Sequence, residues 1–116
     1  MIEKRQFYIN GAWTNPLDGQ DHDVINPTTE APCAVISLGG QADTDAAVNA
    51  AKTALPAWMD TPVATRIALV EKLLDIYLTR VEDLAQATSM EMGAPIDMAR
   101  GSQVGGGSGP SKNFIR

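Results

Sequence analysis

Seven residues, Val63, Ile67, Val70, Leu74, Tyr77, Val81 and Leu84, follow one another at spacings of 4, 3, 4, 3, 4 and 3. An α-helix turns once in about 3.6 residues, so this alternation lays all seven along one stripe. Arg66, Lys72, Asp75 and Thr79 fall off it. Whatever else the chain forms must cover that ridge, because an apolar face left in water gains nothing from folding. Thr61 suits the N-cap and Pro62 the first helical position. The tetrad TRVE at 79–82 matches a capping box, which divides the run into helices of about 62–78 and 80–92 with a break near Thr79. Gly93 suits the residue after a helix end, and Pro95 the start of a further helix.

Upstream the period changes. Asp43 suits an N-cap and Asp45 a first turn, ahead of a helix over about 44–55 whose face is Ala47, Val48, Ala51, Ala54 and Leu55. Pro56 and the residues around Trp58 are expected to end it. Earlier still, QFYINGAWTN (6–15) alternates around Asn10-Gly11, the pair that best tolerates a type I′ turn. A two-residue loop sets Ile9 opposite Ala12, Tyr8 opposite Trp13 and Phe7 opposite Thr14. HDVIN (22–26), stopped by Asn26-Pro27, and CAVISL (33–38), stopped by Gly39-Gly40, read as a second hairpin over 22–38. The fold class is therefore α/β: two short antiparallel hairpins followed by three or four helices, over residues 1–100.

Residues 101–116 read differently. Gly101, Gly105, Gly106, Gly107, Gly109 and Pro110 crowd one short stretch. Each interior glycine costs a helix about 1 kcal/mol against alanine, and a proline about 3. A helix starting in IDMARG is expected to fail beyond about Val104, leaving GGGSG as a flexible, atypical tail.

A length of 116 residues suggests one domain with a modest core. The net charge of −5 offers no basic footprint for nucleic acid or an anionic membrane. The acids all lie in residues 1–99, net −8, while 100–116 carry +3, which reads as a solvated tail. One cysteine excludes an internal disulfide. MIEKRQFYING has no long apolar run, so no signal peptide is expected, and no apolar stretch approaches a membrane span. A cytoplasmic setting follows as the default.

No complete catalytic constellation emerges from the residues. Gly105–Pro110 opens like a dinucleotide loop, but proline takes the last glycine's place and no strand precedes it. Cys33 sits among apolar neighbours that disfavour a thiolate, and reads as a small buried hydrophobe. His22 alone cannot build a zinc site. Asp18, Asp21 and Asp23 lack the glycine and glutamate spacing of a calcium loop. Glu82, Asp83 and Glu91 read as solvated or capping carboxylates on helices.

Taken in order, YINGAW, VINPTTE, DTDAAVNAAKTALPAW, RIALVEKLLDIYLTRVEDLA and EMGAPIDMARG resemble the N-terminal segment of the NAD(P)-dependent aldehyde dehydrogenases. That resemblance implies oxidation of an aldehyde to a carboxylic acid through a cysteine thioester, with NAD or NADP. It also implies that the catalytic cysteine, glutamate and asparagine and the cofactor loop lie outside these 116 residues. Catalytic and cofactor-binding residues are therefore expected to be none here, with no nucleotide bound by this chain alone. Cys33 does not match the nucleophile motif. The hairpins and helices would be scaffold for a sheet contributed by the rest of the fold, in a homo-oligomer. Some members hold a monovalent cation, Na+ or K+, near the INP turn. The matching positions are the carbonyls of Val24 and Ile25 and the side chain of Glu91. The family continues as a helix after MARG toward residues like KNFIR, so GGGSGP reads as an interruption. The alternative is a non-catalytic helical module that docks a partner through its Val63–Leu84 face.

Overall fold

The computed structural model describes residues 1–115. They form two compact units, one of Met1–Ile25 with Glu30–Asp60, the other of Asn26–Thr29 with the chain from Thr61 onward.

The first unit contains both sheets and one helix. Strands β2 (Phe7–Ile9) and β3 (Ala12–Thr14) pair antiparallel in the register Phe7↔Thr14, Tyr8↔Trp13 and Ile9↔Ala12. Asn10 and Gly11 take φ of 53° and 78°, the left-handed conformations that a type I′ turn demands. The Tyr8 and Trp13 rings meet edge to face with centroids 5.2 Å apart. Strands β4 (Gln20–Asn26) and β5 (Ala31–Leu38) pair across Pro27–Glu30, a connection too short for any but the antiparallel sense. Strand β1 (Ile2–Lys4) adds to the free edge of β5 in parallel, with Ile2 opposite Ala34 and Lys4 opposite Ile36. Its three residues IEK have no alternation to announce them, and only the neighbouring edge makes them a strand. Ala34 and Val35 of β5 are buried.

Helix α1 runs over Gln41–Asp60, longer than the expected 44–55. Pro56 lies inside it, not at its end. Proline removes one donor, but the turns around it are exposed, so the cost of the carbonyl left over is small. Asp43 is not the N-cap. It stands one turn further in, at 5% exposure, and its Oδ2 accepts the Gly40 N–H at 3.1 Å. That is the returning half of a capping box, with glycine in the capping place. Its Oδ1 also accepts the Leu17 N–H at 2.8 Å, which ties the loop after β3 to the helix start.

The second unit is helical. Helix α2 (Val63–Thr79) starts one residue later than expected, with Pro62 at the N-cap. Helix α3 (Val81–Met92) follows a break at Arg80. Thr79 does not cap it: the Thr79 hydroxyl donates back to the Ile76 carbonyl at 2.7 Å. Gly93 closes α3 at φ 71°, and a Cβ there would sit 2.8 Å from Cγ of Pro27. Pro95 caps the short helix α4 (Ile96–Met98), which runs into a π-helical turn over Ala99–Gln103, closed by the Val104 N–H on the Ala99 carbonyl at 3.0 Å.

The glycine-rich tail is not a loop. Helix α5 spans Gly105–Ile115, with Pro110 inside it. The intrinsic cost of glycine and proline is outweighed by packing on α2. The Tyr77 hydroxyl donates to the Val104 carbonyl at 2.6 Å, and Gly107 lies against the hydroxyl end of the Tyr77 ring, where a Cβ would come within 2.7 Å of Cζ. Glycine here is the residue that lets the two helices close. Ala85, Ala99 and Val104 form a small core, flanked by Tyr77, Val81 and Ile96.

The middle of the Val63–Leu84 stripe finds cover within its own unit, while its ends, Val63 and Leu84, stay exposed. Ile67, Val70, Leu74, Tyr77 and Val81 are half-buried. A different row of α2, Leu69, Leu73 and Ile76, stays 50%, 61% and 52% exposed.

Candidate functional site

Val24 and Ile25 are consecutive residues of β4 in the first unit, and Glu91 lies in the last turn of α3 in the second. The Val24 carbonyl accepts the Cys33 thiol at 3.3 Å. Ile25 is 47% exposed and Glu91 is exposed.

Cys33 sits half-buried on β5 with its thiol proton engaged by that carbonyl. A nucleophile needs a base on its proton, and a peptide oxygen is not one. His22 is exposed on β4. Asp21 is held by Arg5 at 3.1 Å. Among the described residues no three His, Cys, Asp or Glu side chains gather to hold a metal ion.

Glu82 of α3 and Arg100 of the π-turn form a charged contact. Arg100 Nε donates to Glu82 Oε2 at 2.8 Å and Nη2 to Oε1 at 2.7 Å, a two-pronged pair. Gln86 donates to the same carboxylate at 2.8 Å, and Arg100 Nη1 reaches Asp97 at 3.2 Å. The Arg100 hydrogen bonds, then that of Gln86, pull the Glu82 carboxyl down to about 2. A carboxylate held that firmly ionised takes up no proton near neutral pH, so Glu82 is a clasp between α3 and the π-turn, with no acid–base role. Asp83 is paired with Arg80 at 3.5 Å. Eighteen residues separate Glu82 from Arg100, and no local pattern joins them.

Asp43 is likewise held below the ordinary carboxylate range, chiefly by the Leu17 N–H and also by those of Gly40 and Asp18, against an opposing effect of burial. Arg66 is the opposite case. Its Nε is shielded from solvent and has no hydrogen-bond partner among the described residues.

The residues present do not form a dinucleotide cradle. Gly105–Gly109 are helical, with Gly107 packed on Tyr77, so their N–H groups point into a helix and not at a phosphate. No helix among the described residues is long and apolar enough to cross a membrane.

The aldehyde dehydrogenase family profile matches residues 13–110. The chain is 38% identical over 96 residues to a 3-succinoylsemialdehyde-pyridine dehydrogenase of a Pseudomonas species, covering 83% of this chain and 20% of that protein. Among solved structures, an aldehyde dehydrogenase from Bartonella henselae superposes with a TM-score of 0.95 at 52% identity, over 99% of this chain and 24% of that one. Aldehyde dehydrogenase C of Pseudomonas syringae, as a mutant complexed with NAD+ and octanal, gives 0.90 at 38% identity, over 93% of this chain and 22% of that one. The match extends through residue 110 and so includes GGGSGP. This chain spans about a fifth of the length of the curated relatives it matches. Its short strands and following helices are the N-terminal portion of that fold, and the chain belongs to the aldehyde dehydrogenase family.

Proposed function

We propose that these residues are the framework part of an enzyme that oxidises an aldehyde to a carboxylic acid with NAD or NADP through a cysteine thioester. The nucleophile, the base and the nucleotide site lie elsewhere in that enzyme, and this stretch is inactive and binds no nucleotide alone. The supporting observation is a match over residues 13–110 to the family, in a chain whose one cysteine has its proton held by a peptide carbonyl. The remainder of the fold is the partner, and the assembled enzyme is a cytoplasmic homo-oligomer.

A mixture of this chain with the complementary segment of the Bartonella henselae protein, assayed for NAD(P)+ reduction by an aldehyde, tests the reading. Turnover is expected only when both pieces are present. Turnover by the 116 residues alone would overturn it.

A further inference from the structure

Helix α5 is built from residues that favour neither a helix nor a core. Gly105, Gly106, Gly107 and Gly109 each disfavour the helical backbone, and Pro110 removes a donor from its middle. Little burial offsets this. No residue of Gly105–Ile115 is buried, and its one aromatic ring, Phe114, is 69% exposed. The contact with α2 is close at one end only. Gly107 abuts Tyr77, whereas Lys112 and Ile115 stand across an open cleft of about 560 Å³ from Glu71, Leu74 and Asp75 of α2.

The residue before the helix is held differently. Val104 is 5% exposed and shares a core with Ala85 and Ala99. Its carbonyl accepts both the Tyr77 hydroxyl at 2.6 Å and the Gly107 N–H at 3.1 Å. When α5 unwinds, the Gly107 N–H passes to water while the carbonyl keeps the hydroxyl. The buried side of the junction is left with no orphaned acceptor. Gly105 and Gly106 follow at once, and a Cβ at either would meet nothing within 4 Å. Two unhindered glycines between a fixed residue and a weak helix make a pivot, because glycine absorbs large changes of φ and ψ at no steric cost.

We propose that α5 is a strap that unwinds from α2 as one unit about Gly105-Gly106, while the core of Ala85, Ala99 and Val104 stays formed. Its opening bares the Tyr77 ring, so access to that part of α2 is set by the strap and not by global unfolding. The strap is a property of these residues alone, independent of the framework reading above.

Amide hydrogen exchange of the 116-residue chain tests this, with trypsin cleavage after Lys112 as a second measure. The amides of Gly109 and of residues 111–114 are expected to share one protection factor, at least about 10-fold below that of the α3 amides. Their exchange, and the cleavage, should not respond to low urea, which should speed α3, because a local opening exposes little surface. Ala87 is half-buried in α3. Ala87→Gly should speed exchange of α3 about 5-fold and leave α5 unchanged, since the open state keeps α3 folded. Protection of α5 equal to that of α3, or α5 speeding together with α3 in urea or in Ala87→Gly, overturns the strap. So does an α5 without protection, which has no closed state, or an α3 without protection, which leaves no fixed core. Protection falling stepwise from Gly109 to Phe114 would be fraying of a helix end, and also overturns it.

Discussion

The hydroxyl of Tyr77 donates to the carbonyl of Val104 at 2.6 Å, across 27 residues of sequence, at the point where the π-turn gives way to α5. The same carbonyl accepts the Gly107 N–H at 3.1 Å. One oxygen thus joins the last turn of α2 to the start of a helix that its own residues disfavour. Tyr77→Phe is expected to cost about 1 kcal/mol, the usual net value of a hydrogen bond. Loss of the α5 signal in hydrogen exchange, with α1 unaffected, is the expected local signature.

Glycines of one run should respond oppositely to alanine. At Gly106 an added Cβ meets nothing within 4 Å, so Gly106→Ala should stabilise by about 0.5–1 kcal/mol through helix propensity. At Gly107 the Cβ meets the Tyr77 ring and hydroxyl, so Gly107→Ala should destabilise by about 1–3 kcal/mol, as overpacking does. Denaturant unfolding of the pair measures both. Two stabilising substitutions would show that α5 does not lie on Tyr77.

Gly93 combines a left-handed φ of 71° with Pro27 as a neighbour. A residue with a Cβ costs about 1–2 kcal/mol in that conformation even in open space. Gly93→Asn relieves part of the backbone cost but not the approach to Pro27. Both Gly93→Ala and Gly93→Asn should therefore lower Tm. An asparagine variant as stable as the parent would mean that the proline contact is absent in solution.

Acid should unlock the start of α1. Asp43 has its folded pKa below the unfolded value of about 3.9 for aspartate. A depressed carboxylate adds stability that is fully present above the unfolded pKa and disappears as pH falls through the folded one. Stability should thus fall below about pH 4, and Asp43→Asn should remove that part of the pH dependence while lowering stability at neutral pH. Glu82, held near 2, has the same sign, but its pair with Arg100 is exposed, so its effect should be small and should shrink in high salt. Stability measured against pH in the two variants, Asp43→Asn and Glu82→Gln, separates them.

The isolated chain should bind a hydrophobic dye and self-associate. Leu69, Leu73 and Ile76 form an exposed row, and such rows rarely remain bare on a stable monomer. Replacing Leu69 and Leu73 by serine should reduce dye binding. A monodisperse parent chain without dye binding would contradict the expectation.

Local rules carried the reading where the residues that decide are neighbours. Asn10-Gly11 dictated the β2–β3 register, because positive φ at both positions leaves one hairpin geometry. Gly93 ended α3 for the same kind of reason, and the stripe from Ile67 to Val81 marked the inner face of α2 and α3. The ordered motifs also marked the family, which the match over 13–110 shows. Tertiary contacts decided the rest. Nothing in IEK announces a strand until the edge of β5 stands beside it. GGGSGP has the composition of a linker, yet it is helical because Tyr77 stands where only a glycine backbone can approach. Asp43 and Arg100 took roles set by partners 26 and 18 residues away, and Arg66 lacks a partner among the described residues. Propensity and turn chemistry are summed over a few adjacent residues. Burial and pairing energies are summed over whatever the fold brings near, and for Gly107 and Asp43 that second sum has the larger say.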